Sequence, residues 1–159
     1  QNPALGAEIE MLLNGGESLY LAKPDNLTVT EDGKYLLIQE DPGNNAALAR
    51  IVAYRVSDGK MAVVAQFDAN KFIKGGSEFM TEDEESSGII DATKLLAKPG
   101  DTNSYFFFNA QVHTTGAVVA RPDLNARSKA TKTAIDTKTI EGGQYYVMTI
   151  SNWDTVFNG

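Results

Sequence analysis

Two acids and an amide-acid pair bracket one short stretch of this chain: Asp25 and Asn26 precede Leu27-Thr28-Val29-Thr30, and Glu40 and Asp41 follow Tyr35-Leu36-Leu37-Ile38. If the two ends meet, four oxygen-bearing side chains crowd together, and such a cluster invites a hard cation. A second acidic group, Thr81-Glu82-Asp83-Glu84-Glu85, runs directly into Ser86-Ser87-Gly88-Ile89-Ile90-Asp91. Its last member, Glu85, is thereby carried to the end of a structured element. Glu40 and Glu85 are the first candidate ligands; Asp25, Asp41 and Glu84 follow. Asn26 could orient a ligand. His113, the only histidine, could be a ligand, a phosphate contact or a hydrogen-bonded structural residue. The plain alternative is that these are solvated turn acids and a solvated charged face.

The elements that must position these groups are strands. Leu27 and Val29 alternate with Thr28 and Thr30, the period of a half-buried strand, and Tyr35 to Ile38 is a denser apolar run suited to a buried one. Asp32-Gly33 between them tolerates positive φ, which predicts a hairpin with acids at both of its open ends. Arg50 to Val56, the turn Ser57-Asp58-Gly59-Lys60 and Met61 to Phe67 repeat the arrangement. Four antiparallel strands between Leu27 and Phe67 occupy roughly the 40 to 45 residues of one propeller blade. Ser87 to Asp91, Tyr105 to Val112 and Gln144 to Ile150 supply most of a second, and Tyr105-Phe106-Phe107-Phe108 delivers Asn109, Gln111 and His113 to the far end of its strand. Trp153 and Phe157 are expected to pack the tail down.

Residues 1–23 read as a lead-in strand segment: Ala4, Leu5, Ala7, Ile9, Met11, Leu12 and Leu13 mix alternation with a short apolar run, and Ser18 to Leu21 alternates briefly. Residues 24–79 read as one blade and its exit loop, and 80–159 as a second blade with a long surface excursion at 114–143. That excursion carries Arg121, Arg127, Lys129, Lys132 and Lys138, with anion contact as its minority reading. No helix of convincing amphipathic length is expected. The fold class is all-β, a partial propeller of about two four-stranded antiparallel blades that does not close a ring by itself.

Composition narrows the function. The 159 residues carry a formal charge of -7 with 42% hydrophobic and 22% charged residues, ordinary for one globular domain. The acidity and the lack of clustered Lys and Arg argue against nucleic acid as a partner and favour cations. Cysteine is absent, which removes disulfides and thiolate ligands from these residues. No apolar run approaches the roughly 20 residues of a membrane span, and neither a signal peptide nor a phosphate loop, dinucleotide fingerprint or nucleophile elbow is present.

A set of motifs in matching order, Lys-Pro-Asp-Asn-Leu-Thr-Val (23–29), Leu-Leu-Ile-Gln-Glu-Asp (36–41), Glu-Glu-Ser-Ser-Gly-Ile-Ile-Asp (84–91), Ala-Gln-Val-His (110–113) and Glu-Gly-Gly-Gln (141–144), resembles the C-terminal part of the bacterial PhoX-type alkaline phosphatases. The resemblance implies a β-propeller that is secreted, periplasmic or on the cell surface. It also implies phosphomonoester hydrolysis at a site of calcium and iron held by carboxylates and a cysteine, with Asn26 and His113 as the residues that could contact phosphate. Members of that family are several hundred residues long, and their cysteine has no counterpart here, so this chain would hold part of a site and be inactive alone. A different class of function is a calcium-stabilised structural or surface-assembly module. An open set of blades exposes strand edges, so the chain is expected to be the C-terminal product of a longer precursor, bound to the rest of that polypeptide or to copies of itself.

Overall fold

A computed structural model describes residue 4 and residues 6–43, 47–113 and 141–158. Strands β1 (Pro24–Val29), β2 (Tyr35–Glu40), β3 (Arg50–Arg55) and β4 (Met61–Gln66) form one antiparallel sheet in chain order. Strands β5 (Glu84–Asp91), β6 (Ser104–His113) and β7 (Glu141–Ile150) form a second, again in chain order. Three short helices, α1 (Ala69–Phe72), α2 (Thr93–Leu96) and α3 (Trp153–Asn158), complete the described elements. The described residues are therefore mostly β, with two antiparallel sheets and no closed barrel among them.

The two turns of the first sheet form as their residues dictate. At the first, Gly33 has φ +70° and its N–H donates to the Thr30 carbonyl at 2.8 Å, while Asp32 accepts from the Thr30 hydroxyl and the Lys34 N–H. At the second, Gly59 has φ +71°, and Asp58 accepts two hydrogen bonds from Arg55, at 2.8 and 2.6 Å. Positive φ is what a residue without Cβ adopts at little cost, so both reversals stay tight.

One apolar cluster joins the two sheets. Leu37 and Ile51 from the first pack with Ile89, Phe106 and Ile150 from the second, flanked by Val64, Ala65, Phe108, Met148, Trp153 and Val156. Helix α3 caps this layer at the turn end of β2. The Trp153 ring stacks on Tyr35 with centroids 3.9 Å apart, meets Phe106 edge-on, and donates its indole N–H to the Ser104 hydroxyl at 3.0 Å. Phe157 stacks on Tyr35 as well, with the Arg55 guanidinium 4.6 Å from its ring centre. Trp153 and Phe157 thus pack the tail as expected.

Several boundaries differ from the sequence reading. Residues 6–23 form no strand; Ser18 to Leu21 is irregular despite its alternation, because no neighbouring strand pairs with it. The first strand starts at Pro24, so Asp25 and Asn26 lie inside it, at a register shift between Pro24 and Leu27. Strand β5 starts at Glu84, which takes the end of the acidic run into the sheet because Val112 and Gln111 pair with Glu84 and Glu85. Strand β7 starts at Glu141, pairing with His113, so residues 141–143 belong to the sheet; the rest of the expected excursion, 114–140, lies outside the described residues.

Candidate metal centre

The open end of the first hairpin is closed by pairing of Pro24 with Glu40 and by a hydrogen bond from the Asp41 N–H to the Lys23 carbonyl at 3.0 Å. In the second sheet, β5 and β6 start and end at the same place, and the His113 N–H donates to the Asp83 carbonyl at 2.8 Å. A link between the sheets runs from the Ala49 N–H to Glu84 Oε1 at 3.1 Å. This one end of the molecule therefore receives every residue singled out above: Asp25, Asn26, Glu40, Asp41, Glu84, Glu85 and His113.

Their surroundings are not alike. Glu40 is completely buried, and its carboxylate accepts from Arg50 Nε and from an Arg50 terminal nitrogen, each at 2.7 Å, and from the Ala22 N–H at 2.7 Å. Arg50 also donates to the Tyr20 carbonyl at 2.8 Å and lies over the Tyr20 ring. Charge and hydrogen-bonding capacity at Glu40 are thus largely used within the protein. Asp25 accepts from the Asn26 side-chain amide at 2.7 Å, an exposed contact between neighbours.

Glu84 and Glu85 sit on opposite faces of β5, as successive residues of a strand must. Glu84 is 1% exposed, and its Oε2 has no hydrogen-bond partner among the described residues. Burial pushes its carboxyl above the ordinary range; the Ala49 N–H opposes the shift, and Asp83 and Glu82 add to it. Glu85 shares its face with Gln111, its Cα partner, and with His113, whose Nε2 lies 3.9 Å from Glu85 Oε1. Its carboxyl is also raised, first by burial and then by the neighbouring Asp41; Asp25 adds to this and His113 opposes it. Carboxylates gathered in this way repel at neutral pH, and a cation between them reverses the sign.

Residues outside the sequence reading complete the neighbourhood. Lys23 holds φ +49°, an uncommon conformation for a residue with a Cβ, and its ammonium group reaches the Gly43 carbonyl at 3.5 Å. A Cβ on Gly43 would lie 3.4 Å from Asp41 Oδ1, 3.5 Å from Lys23 Nζ and 3.8 Å from Asp83 Oδ1, so these three groups surround that glycine. Gln39 and Ser86 are buried with side-chain polar atoms that also lack partners among the described residues. Strand phasing places Gln39 on the row of Leu37, and Ser86 on the row of Glu84, both buried in their strands. A polar residue on an otherwise apolar row was the sequence signal for Gln39; Arg50 carried none, because its partner is ten residues away.

Comparison with protein-family models, curated proteins and solved structures finds no match to this chain.

The donors present, carboxylates with amide and hydroxyl oxygens and one imidazole, suit calcium, and iron would accept the carboxylates and the imidazole. Among the described residues no three His, Cys, Asp or Glu side chains converge closely enough to hold a metal ion. The chemistry of the donors fits, and the ligand count from these residues is incomplete. The other end of the first sheet has a shallow depression of about 210 Å³ lined by Gly33, Lys34, Tyr35, Arg55, Val56 and Ser57. Its two cations are already paired, Lys34 with Asp32 and Arg55 with Asp58. The unsatisfied chemistry lies at the acidic end.

Proposed function

We propose that this chain contributes the carboxylate wall of a calcium- and iron-dependent phosphomonoesterase centre of PhoX type, in a secreted β-propeller whose remaining ligands come from elsewhere in a longer polypeptide. The observation that carries this reading is Glu84 Oε2, a carboxylate oxygen buried without a partner beside further acids. Leaving a buried polar atom unpaired costs about 1–3 kcal/mol, and more for a charged one, so such a group is retained where a ligand completes it. The order of the motifs that resemble the PhoX-type family supports the same reading, because those motifs supply the acids now gathered at one end.

In this reading Glu85, Asp41 and Asp25 face the cations from one side of β5, Glu84 offers its unpaired oxygen from the other side, and Glu40, held by Arg50, keeps the end of β2 in place beside them. A bound metal would polarise phosphoryl oxygens and position the attacking oxygen. Asn26 and His113 are the residues for contact with the phosphate. The two sheets, one of four strands and one of three, serve as consecutive blades. The test is calcium titration by calorimetry of the chain and of Glu84→Gln, together with hydrolysis of a chromogenic phosphomonoester by the longer polypeptide and by its Glu84→Gln variant. Binding and turnover that both survive the substitution would remove the basis of the assignment.

The second reading, a calcium-stabilised structural or surface-assembly module, is favoured by one observation. Glu40, one of the first candidate ligands, is committed to Arg50 at 2.7 Å, as a carboxylate with a structural role would be. Calcium that raises the melting temperature of the longer polypeptide without any hydrolysis would decide for it.

A further inference from the structure

Each sheet has two edges, and they are not equally protected. Strand β1 contains Pro24 and a register shift before Leu27, and the pairing of β4 shifts between Ile51 and Val52. Strand β5 is bulged between Ser87 and Ile90 and lies against β1 and β2. Proline, bulges and covering elements are the devices that keep an edge from pairing with another chain. Among the described residues strand β7 shows none of them. Its ten residues pair with β6 in unbroken register from Ser104–Ile150 to His113–Glu141, and among the described residues nothing pairs with its other edge. After Glu141 it carries no charge, and Tyr145 and Val147 are 92% and 54% exposed.

The same chain holds a segment with the opposite deficiency. Residues 7–11, Ala-Glu-Ile-Glu-Met, alternate in the manner of a strand, and Leu12 and Leu13 continue them as a short apolar run, with Ala7, Ile9, Met11 and Leu13 on one row. They nevertheless pair with no strand among the described residues, and Ile9 and Met11 are 95% and 78% exposed. A turn fixes where this arm leaves the body: the Asn14 and Gly15 N–H groups donate to the Glu17 carboxylate at 2.8 and 3.0 Å, and the Gly16 N–H donates to Asn14 Oδ1 at 2.9 Å. Side chains so exposed are not folded back onto their own sheets. Two arms side by side would bring Glu8 and Glu10 of one against those of the other, and like charges across strands are destabilising. The uncharged edge of β7 imposes no such penalty.

We propose that residues 7–13 of one copy add to the free edge of β7 in a second copy as a fourth strand. Backbone hydrogen bonds of the ladder supply the attachment, and the row Ile9 and Met11 extends the apolar surface of Tyr145 and Val147, as in other strand-addition complexes. Donor and acceptor lie at different places on the molecule, so the contact is head-to-tail and propagates to a ring or an open chain of copies. This inference does not depend on the phosphatase reading.

Sedimentation velocity of the 159-residue chain over a wide range of concentrations is the first measurement. The weight-average size is expected to rise with concentration, and the double substitution Ile9→Pro with Met11→Pro to weaken assembly about tenfold or more, because proline removes ladder donors. The second measurement uses the absence of cysteine: a Met11→Cys chain or an Ile9→Cys chain is mixed with a Val147→Cys or a Tyr145→Cys chain and oxidised. At least one mixed disulfide is expected to predominate. A monomer at every concentration, assembly unchanged by the prolines, or predominance of β7-to-β7 disulfides would each overturn the proposal.

Discussion

Arg50 grips Glu40 through two nitrogens at 2.7 Å each, and the carboxylate it grips is wholly removed from solvent. The pair fastens the start of β3 to the end of β2, next to the acids of the candidate centre. Two opposite charges held in this fork geometry are strong only while both are present. Arg50→Ala leaves Glu40 buried without its countercharge and is expected to cost about 3–5 kcal/mol in urea unfolding. The double variant Arg50→Ala with Glu40→Ala is expected to be less unstable than the sum of its parts, and strict additivity would show that the pair is not coupled.

Glu85 carries the opposite sign. Its carboxyl is raised in the folded state, so at neutral pH the ionised form is disfavoured there relative to the unfolded chain. Stability attributable to this group falls as pH rises from the unfolded value through the folded one. Glu85→Gln is therefore expected to raise the melting temperature in chelator by about 2–4 °C, the size of a change near 1 kcal/mol in a chain this long. In calcium the variant is expected to lose most of the stabilisation that the parent gains. A variant that melts lower in chelator would contradict the sign.

Asp58 behaves as an ordinary stabilised acid. Its hydrogen bonds from Arg55 lower the carboxyl to about 2 against burial, with help from the Lys60 N–H. A group depressed on folding contributes above its unfolded pKa and loses that contribution as pH falls toward the folded one. The turn should thus weaken between about pH 4 and pH 2, and Asp58→Asn should flatten that part of the stability profile. Urea midpoints measured across this interval, with and without the substitution, give the comparison.

Trp153 is the sole tryptophan, and its emission reports directly on the docking of α3. Trp153→Ala removes the stack on Tyr35, the edge contact to Phe106 and the hydrogen bond to Ser104. The expected loss is about 3 kcal/mol, at the low end for a core aromatic because the ring is only partly buried. Substituting Phe157, which stacks at the greater distance of 5.8 Å from Tyr35, should cost less. Equal losses at the two positions would mean that helix docking does not run through Trp153.

Purified by itself, the 159-residue chain is expected to hydrolyse phosphomonoesters poorly even with calcium and iron supplied. The reason is that the proposed PhoX-type centre takes a cysteine, a residue type this sequence lacks, and further carboxylates from elsewhere in a longer polypeptide. Metal-dependent turnover well above that of the free ions would refute this and would place a complete centre within the chain.

Local chemistry made much of the fold legible. Alternation at Leu27 to Thr30, the Asp32-Gly33 and Asp58-Gly59 turns and the apolar runs at Tyr35 to Ile38 and Tyr105 to Phe108 depend on a residue and its near neighbours, and the four-stranded sheet followed from them. Their register then brought Asp25 and Asn26 to the same end as Glu40 and Asp41, because antiparallel pairing around a tight turn leaves little choice. What tertiary structure decided was the state of each acid. Glu40 is neutralised by Arg50, Glu84 is buried with one oxygen unpaired, and Glu85 is set among Asp41, Asp25 and His113; each outcome depends on groups brought from other strands. The strand pattern of residues 7–13 makes the same point in reverse: alternation makes a segment able to pair, but pairing also needs a free edge within reach, and only the three-dimensional arrangement supplies or withholds one.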